Sequence, residues 1–173
     1  MPVSVTNSEL VYDALKGSGV RLISALPETW LVHLVRLADQ DRDMILVRLA
    51  KEEEGIGIST GAHFAGLRTA LLMQNHGFLQ SINAIASLAL LYKIPLLLMI
   101  TDRGTMGERD PWQTEGGKYT RRTLDALNIV RDDLARPEEV RGKVAKAMAL
   151  AQSSLSPVAL LLQRDLMWEE PAA

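Results

Sequence analysis

The chain has 173 residues, 47% hydrophobic and 23% charged, a balance that suits one folded domain with a real core and argues against disorder. A formal net charge of -2, with no long basic block, gives no electrostatic support for binding nucleic acid or an anionic membrane. The absence of cysteine excludes a disulfide scaffold, a thiolate zinc site and a cysteine nucleophile together.

The opening stretch "MPVSVTNSEL" lacks the basic and apolar segments of a secretory signal, and the longest apolar run, "IPLLLMI", is far too short to span a bilayer. A cytoplasmic location is therefore expected. "SELVYDALKGSG" reads as a leading helix, capped by Asn7 or Ser8 and stopped by Gly17 or Gly19. The buried strand "VRLISALP" follows, then the helical "ETWLVHLVRLADQ" and the strand "MILVRLA". "KEEEGIGISTGAHFAG" is a glycine-studded helix behind three acids, and "TALLMQN" the strand after it. Helical spacing returns in "GFLQSINAIASLALLYK", and "IPLLLMITD" is again an apolar strand. Residues 102–118, "DRGTMGERDPWQTEGGK", have no clear period and read as a functional lid or interface loop. "YTRRTLDALNI" is a short helix, "PEEVRGKVAKAMALAQSSL" a long one, and "PVALLLQRD" a last buried strand.

Nearly continuous apolar strands alternating with helices imply an α/β fold. The expectation is one domain over residues 1–173, a parallel sheet with helices on both faces. In such sheets ligands bind beyond the carboxyl ends of the strands. That singles out residues 25–29, 51–54 and 75–78, and the chain from Thr101 onward.

The usual chemical signatures are mostly missing. Gly55, Gly57 and Gly61 do not make the dinucleotide fingerprint, because the third glycine comes one residue late and the preceding acids would repel a pyrophosphate. No phosphate-binding G-x-x-x-x-G-K-[ST] loop is present, and Ser24, Ser59 and Ser81 stand in no nucleophile elbow. His33 and His63 have no metal-ligand spacing and read as structural. His76 follows a strand end at the ligand-binding edge, so it either touches a ligand or caps the next helix. Gly57 and Gly61, four apart with Gly55 close by, let a flat ligand or another backbone approach one helix face. Close packing of that helix on its own sheet explains them equally well. Helix N-termini stabilise carboxylates, which accounts for Glu53 and Glu54 as capping charges.

Glu52 is where a family enters. "EEEGIGISTGAHFAG" followed by "LLMQNHGFLQSINAIASLALLYKIPLLLMITDRG" resembles the pyrimidine-binding domain of thiamin-diphosphate-dependent decarboxylases. The likeness is nearest to the alpha subunit of the split sulfopyruvate decarboxylases and to phosphonopyruvate decarboxylases, and it covers most of the chain. It implies that Glu52 is the catalytic, cofactor-activating glutamate. In that chemistry a carboxyl group bonded to the aminopyrimidine ring nitrogen relays a proton, so that the cofactor can lose its C2 proton and attack a 2-oxo acid. Gln74 and Asn75 are then cofactor-binding candidates and His76 a second catalytic one. Glu28, Thr29, Phe78 and Arg103 are candidates for the substrate pocket. His76, Phe78, Leu79 and Gln80 stand where the family pattern is smaller or more polar, which points to a different or larger 2-oxo acid. Arg109 is a further candidate for meeting a substrate anion.

The resemblance also implies what the chain lacks. These enzymes hold the diphosphate through Mg2+ on a Gly-Asp-Gly motif, and no "GD" dipeptide occurs here. No metal site is expected on this chain. Thiamin diphosphate and Mg2+ would be held mainly by a separate diphosphate-binding beta subunit, in an α2β2 or higher assembly acting on a small 2-oxo acid. Two alternatives remain open: a thiamin-diphosphate-dependent carboligase subunit, and a non-catalytic flavodoxin-like α/β binding domain.

Overall fold

The computed structural model describes residues 3–169. Six parallel strands form one sheet in the order β2-β1-β3-β4-β6-β5, made of β1 (Val20–Ala25), β2 (Ile45–Arg48), β3 (Arg68–Gln74), β4 (Leu97–Thr101), β5 (Val130–Leu134) and β6 (Val158–Leu162). Every residue of β4 and β6 is buried, which is why these runs are apolar on both faces of the pleat.

Helices cover both faces. On one lie α1 (Val5–Gly17), α2 (Val32–Gln40), α7 (Pro137–Ser154) and the short α8 (Arg164–Met167), whose Leu15, Leu34, Val144 and Met167 share a core with Trp30. On the other lie α3 (Glu52–Phe64), α4 (Asn75–Gln80) and α6 (Pro111–Ala126), with Ile56, Phe78, Ile85 and Leu124 in a second core. The segment after β1 turns to the first face and the segment after β3 to the second. The carboxyl ends of these neighbouring strands therefore part, leaving the crevice in which doubly wound sheets bind ligands. No helix among the described residues is long and apolar enough to cross a membrane.

Four local expectations need correction. The leading helix starts a turn earlier than Asn7 or Ser8: Ser4 is the cap, its hydroxyl accepting from the Asn7 N–H at 3.3 Å. Ser8 lies inside the helix and donates to the Ser4 carbonyl, while Asn7 ties the helix to the Leu166 carbonyl. The single helix expected from Gly77 begins instead at Asn75 and breaks at Ser81. It resumes as α5 (Ile82–Ala84) and a π-helical turn, Ile85–Leu90. The sixth strand, β5, reads "VRDDL", and its charges hide it in the sequence. It sits at the sheet edge with only Leu134 buried, where charged side chains are tolerated and discourage edge-to-edge pairing.

The fourth correction concerns residues 102–118. Only the first part is loop, because α6 begins at Pro111, which supplies the preset φ of a first helical position. The pair Gly116–Gly117 masks the helix, since each glycine costs about 1 kcal/mol of helix propensity. The reason for the pair is tertiary. A Cβ on Gly117 would stand 2.5 Å from the Arg103 carbonyl oxygen and 2.7 Å from that of Gly104, so α6 rests directly on the backbone of the β4–α6 loop.

Candidate active site at the carboxyl edge of the sheet

The three acids that open α3 diverge at once. Glu54 completes the cap, its Oε2 accepting from the N–H groups of Ala50 at 2.9 Å and Lys51 at 3.3 Å. Glu53 lies beside the Lys51 ammonium at 3.7 Å, half-exposed. Glu52 turns inward and is only 6% exposed. Its carboxyl lies across Gly77 in the first turn of α4, where an added Cβ would stand 2.1 Å from Cδ and Oε1. No described residue hydrogen-bonds that carboxyl, and its oxygens are not among the side-chain atoms sealed from solvent without a partner, so the group is tucked in but still open to the crevice.

The glycines behind it divide between the two readings left open. Gly55 seats the helix on its own sheet, its missing Cβ avoiding Leu71 at 2.5 Å and both Leu49 and Ser24 at 3.0 Å. Gly57 and Gly61 are exposed and open: a Cβ would meet only Leu88 at 4.0 Å from the first and nothing within 4 Å from the second. Phe64 at the end of α3 is exposed, as are Leu91 and Tyr92, which follow the π-helical turn that packs against α3.

At the end of β3, Gln74 is half-buried and Asn75 wholly buried. Asn75 accepts from the His76 N–H at 3.1 Å and donates to the Arg103 carbonyl at 2.9 Å, stapling the start of α4 to the β4–α6 loop. The exposed His76 lays its imidazole on Gly116 of α6, where a Cβ would be 2.5 Å from Cε1. Glu52, Gln74, Asn75 and His76 therefore come together at one edge, although the Asn75 amide, expected to bind cofactor, is wholly buried and engaged by the two backbone groups.

Phe78 does not join them. It is fully buried in the core beneath α3 and α4, so it walls no pocket, and the argument for a bulkier substrate loses that support. Leu79 also packs against this core, while Gln80 is exposed.

Arg103 and Glu28 are likewise corrected, because each is occupied by the other's surroundings. The Arg103 guanidinium is buried, stacks over Trp30 at 4.9 Å and meets three carboxylates. These are Glu108 at 2.7 Å, Asp110 at 2.8 Å and Glu28 at 3.4 Å. A buried guanidinium needs such partners, and this one organises the loop rather than presenting a free charge to a substrate. Glu28 caps a short 3-10 turn (Thr29–Leu31), accepting from the Trp30 N–H at 2.7 Å and the Leu31 N–H at 3.2 Å. Burial pushes its carboxyl above the usual range, against the pull of the Trp30 N–H and Arg103. Glu108 shows the reverse: burial raises it, but Arg103 and the N–H groups of Asp110 and Gly104 together hold it down at about 2. Thr29 is exposed at the head of the turn. Arg109 and Arg164 line a 180 Å³ cavity at this edge with Trp30, Arg103 and Trp168.

One buried acid escaped the sequence reading. Asp102, fully buried at the end of β4, accepts from Arg121 of α6 at 2.6 Å and from Gln163 at 2.9 Å. The "TD" ending an apolar strand was its only signal. Larger depressions, of 480 and 350 Å³, lie against Lys16, Gly17 and Arg68 at the amino edge, away from this constellation.

Known proteins match the chain along nearly its whole length, although no family model does. It is 39% identical over 162 residues to sulfopyruvate decarboxylase subunit alpha of Methanococcus maripaludis, covering 94% of this chain and 96% of that one. Phosphonopyruvate decarboxylase of Streptomyces viridochromogenes is 25% identical over 161 residues, 91% of this chain but 40% of that longer protein. Among solved structures, a protein described as a thiamin diphosphate-dependent enzyme from Mycobacterium smegmatis superposes with a TM-score of 0.69 at 18% identity. There the alignment covers 96% of this chain and 32% of the other, so the chain spans about a third of that protein and the likeness is one of fold.

Proposed function

This chain belongs to the family of sulfopyruvate decarboxylase alpha subunits, and from that premise we propose that it carries the pyrimidine-binding half of a two-subunit, thiamin-diphosphate-dependent 2-oxo acid decarboxylase. The observation that carries the site assignment is Glu52: a side chain only 6% exposed at the switch-point crevice, its carboxyl without a partner among the described residues yet still open to solvent, cradled where a side chain on Gly77 would stand. A sheltered acid that opens onto the crevice without an internal partner fits a flat, basic heterocycle. Thiamin diphosphate, when bound, supplies a carbon nucleophile and an electron sink for loss of carbon dioxide from a 2-oxo acid.

The chain's own residues take the remaining roles. Glu52 holds and relays a proton at the pyrimidine ring nitrogen. Asn75, fixed between the His76 N–H and the Arg103 carbonyl, sets the direction in which α4 leaves the sheet. Gln74, half-buried beside it, contacts the cofactor. His76, exposed at the same edge, donates a proton to the reacting carbon or meets the acidic group of the substrate. Its matches among sulfopyruvate and phosphonopyruvate decarboxylases favour a small 2-oxo acid with a second, strongly acidic group.

A separate beta subunit would hold the diphosphate and Mg2+, since the chain has no Gly-Asp-Gly. The open face of α3, with Gly57, Gly61 and the exposed Phe64, is suited to close packing by another chain in an α2β2 or larger cytoplasmic assembly. The test is to assemble the chain with its beta partner, add thiamin diphosphate and Mg2+, and follow carbon dioxide release across a panel including sulfopyruvate and phosphonopyruvate. Glu52→Gln should abolish release from every acid that the wild type accepts. Full activity in that variant would refute the assignment.

A further inference from the structure

We infer that Gly77 is a positioning residue for Glu52, its missing side chain being the space in which the Glu52 carboxyl is held; the inference rests on the role given to Glu52 above. Glycine here is not demanded by the backbone. Positive φ among the glycines occurs at Gly19, Gly66, Gly104 and Gly107, whereas Gly77 lies within α4, where any L-residue fits and alanine is the better helix former. Nor is it demanded by the core. The three atoms nearest an added Cβ all belong to Glu52: Cδ and Oε1 at 2.1 Å and Cγ at 2.5 Å.

Gly55 differs, because its neighbours are the sheet side chains Leu71, Leu49 and Ser24 and it serves helix packing. At Gly77 the backbone is pinned. Its carbonyl accepts from the Ser81 hydroxyl at 2.7 Å and the Ser81 N–H at 3.0 Å, which keep the turn's shape. Asn75 ties the start of α4 to the Arg103 carbonyl at 2.9 Å and Phe78 is sunk in the core, so the helix resists being pushed off. What yields to an added methyl is the Glu52 side chain, whose Cγ, Cδ and Oε1 are the atoms in its way. Gly77→Ala therefore leaves a folded protein with a displaced carboxyl. A glycine kept for packing would do the opposite and unfold first.

Two readouts test this. Thermal unfolding of the full chain compares Gly77→Ala in the wild-type and Glu52→Ala backgrounds. In the latter, alanine gains its helical advantage with nothing to displace, so the rise in Tm should be larger there. In the complex with the beta subunit and thiamin diphosphate, exchange of the cofactor's C2 proton, followed by NMR, should fall about a hundredfold in Gly77→Ala, the scale of an ångström-level misplacement, towards the level of Glu52→Gln. Equal Tm changes in the two backgrounds would overturn the inference. So would wild-type exchange in Gly77→Ala beside a dead Glu52→Gln. If Glu52→Gln itself exchanges at the wild-type rate, the role of Glu52 fails, and the Tm comparison still decides whether Gly77 holds its side chain.

Discussion

Glu52, Glu53 and Glu54 show how far position outweighs residue type. Successive side chains leave a helix about 100° apart, so one acid faces the crevice, one the solvent and one the cap. Arg103 makes the same point with the opposite charge. Its three carboxylate partners convert a loop cation into the centre of a buried cluster, and the cluster has a pH signature. Glu108 is held at about 2 against an ordinary 4.5. The folded state thus binds this proton less readily than the unfolded chain, and the stabilisation is fully present above about pH 4.5 and lost as pH falls towards 2. Glu28, raised by burial, has the opposite sign and gains from protonation over the acid side of its own range. Glu108→Gln should therefore flatten the fall in stability between about pH 4.5 and 2, as measured by urea unfolding across that window. An unchanged acid slope would show that Glu108 is not coupled to the fold.

Among the elements, α6 is the one whose place matters most to the site. Asp102 fastens it to β4 through Arg121, Gly116 receives the His76 ring, and Gly117 lies on the backbone of residues 103 and 104. In an isolated helix Gly117→Ala would stabilise by about 1 kcal/mol. Here the methyl meets carbonyl oxygens that no rotamer change can remove, and overpacking of that kind costs about 1–3 kcal/mol. The expected outcome is a net loss of stability, read from the urea midpoint at constant m-value. A gain would mean that the helix does not approach the loop so closely. The expectation of a loop running to Lys118 fails here for the same reason: glycines that mark a loop in isolation mark a contact once the neighbouring backbone is known.

At the scale of the whole molecule, the chain presents one side of a crevice. The acid proposed to activate the cofactor, the strand-end amides and His76 lie on its carboxyl edge, while the Gly-Asp-Gly motif that the family likeness leads one to expect on a partner is missing from its sequence. The purified chain alone, saturated with thiamin diphosphate and Mg2+, should release no carbon dioxide. Activity should appear on titration with the beta subunit and saturate at a fixed subunit ratio. Turnover by the chain alone would contradict the division of labour.

The order of apolar runs and helical periods was enough to determine a parallel α/β sheet, because a strand buried on both faces must be apolar throughout and such runs are legible one residue at a time. The rule that ligands bind beyond the carboxyl ends of such strands, with the family resemblance carried by Glu52, its glycines and the "QN" strand end, was enough to point to this edge. Tertiary structure alone decided that β5 is a strand, since an edge position permits the charges that disguise it. It also decided that Phe78 belongs to the core, that Arg103 and Glu28 serve each other, and that Gly77 faces Glu52. These are contacts between residues distant in the chain or turned by a helix start. Their geometry exists only after the sheet has brought the strand ends together.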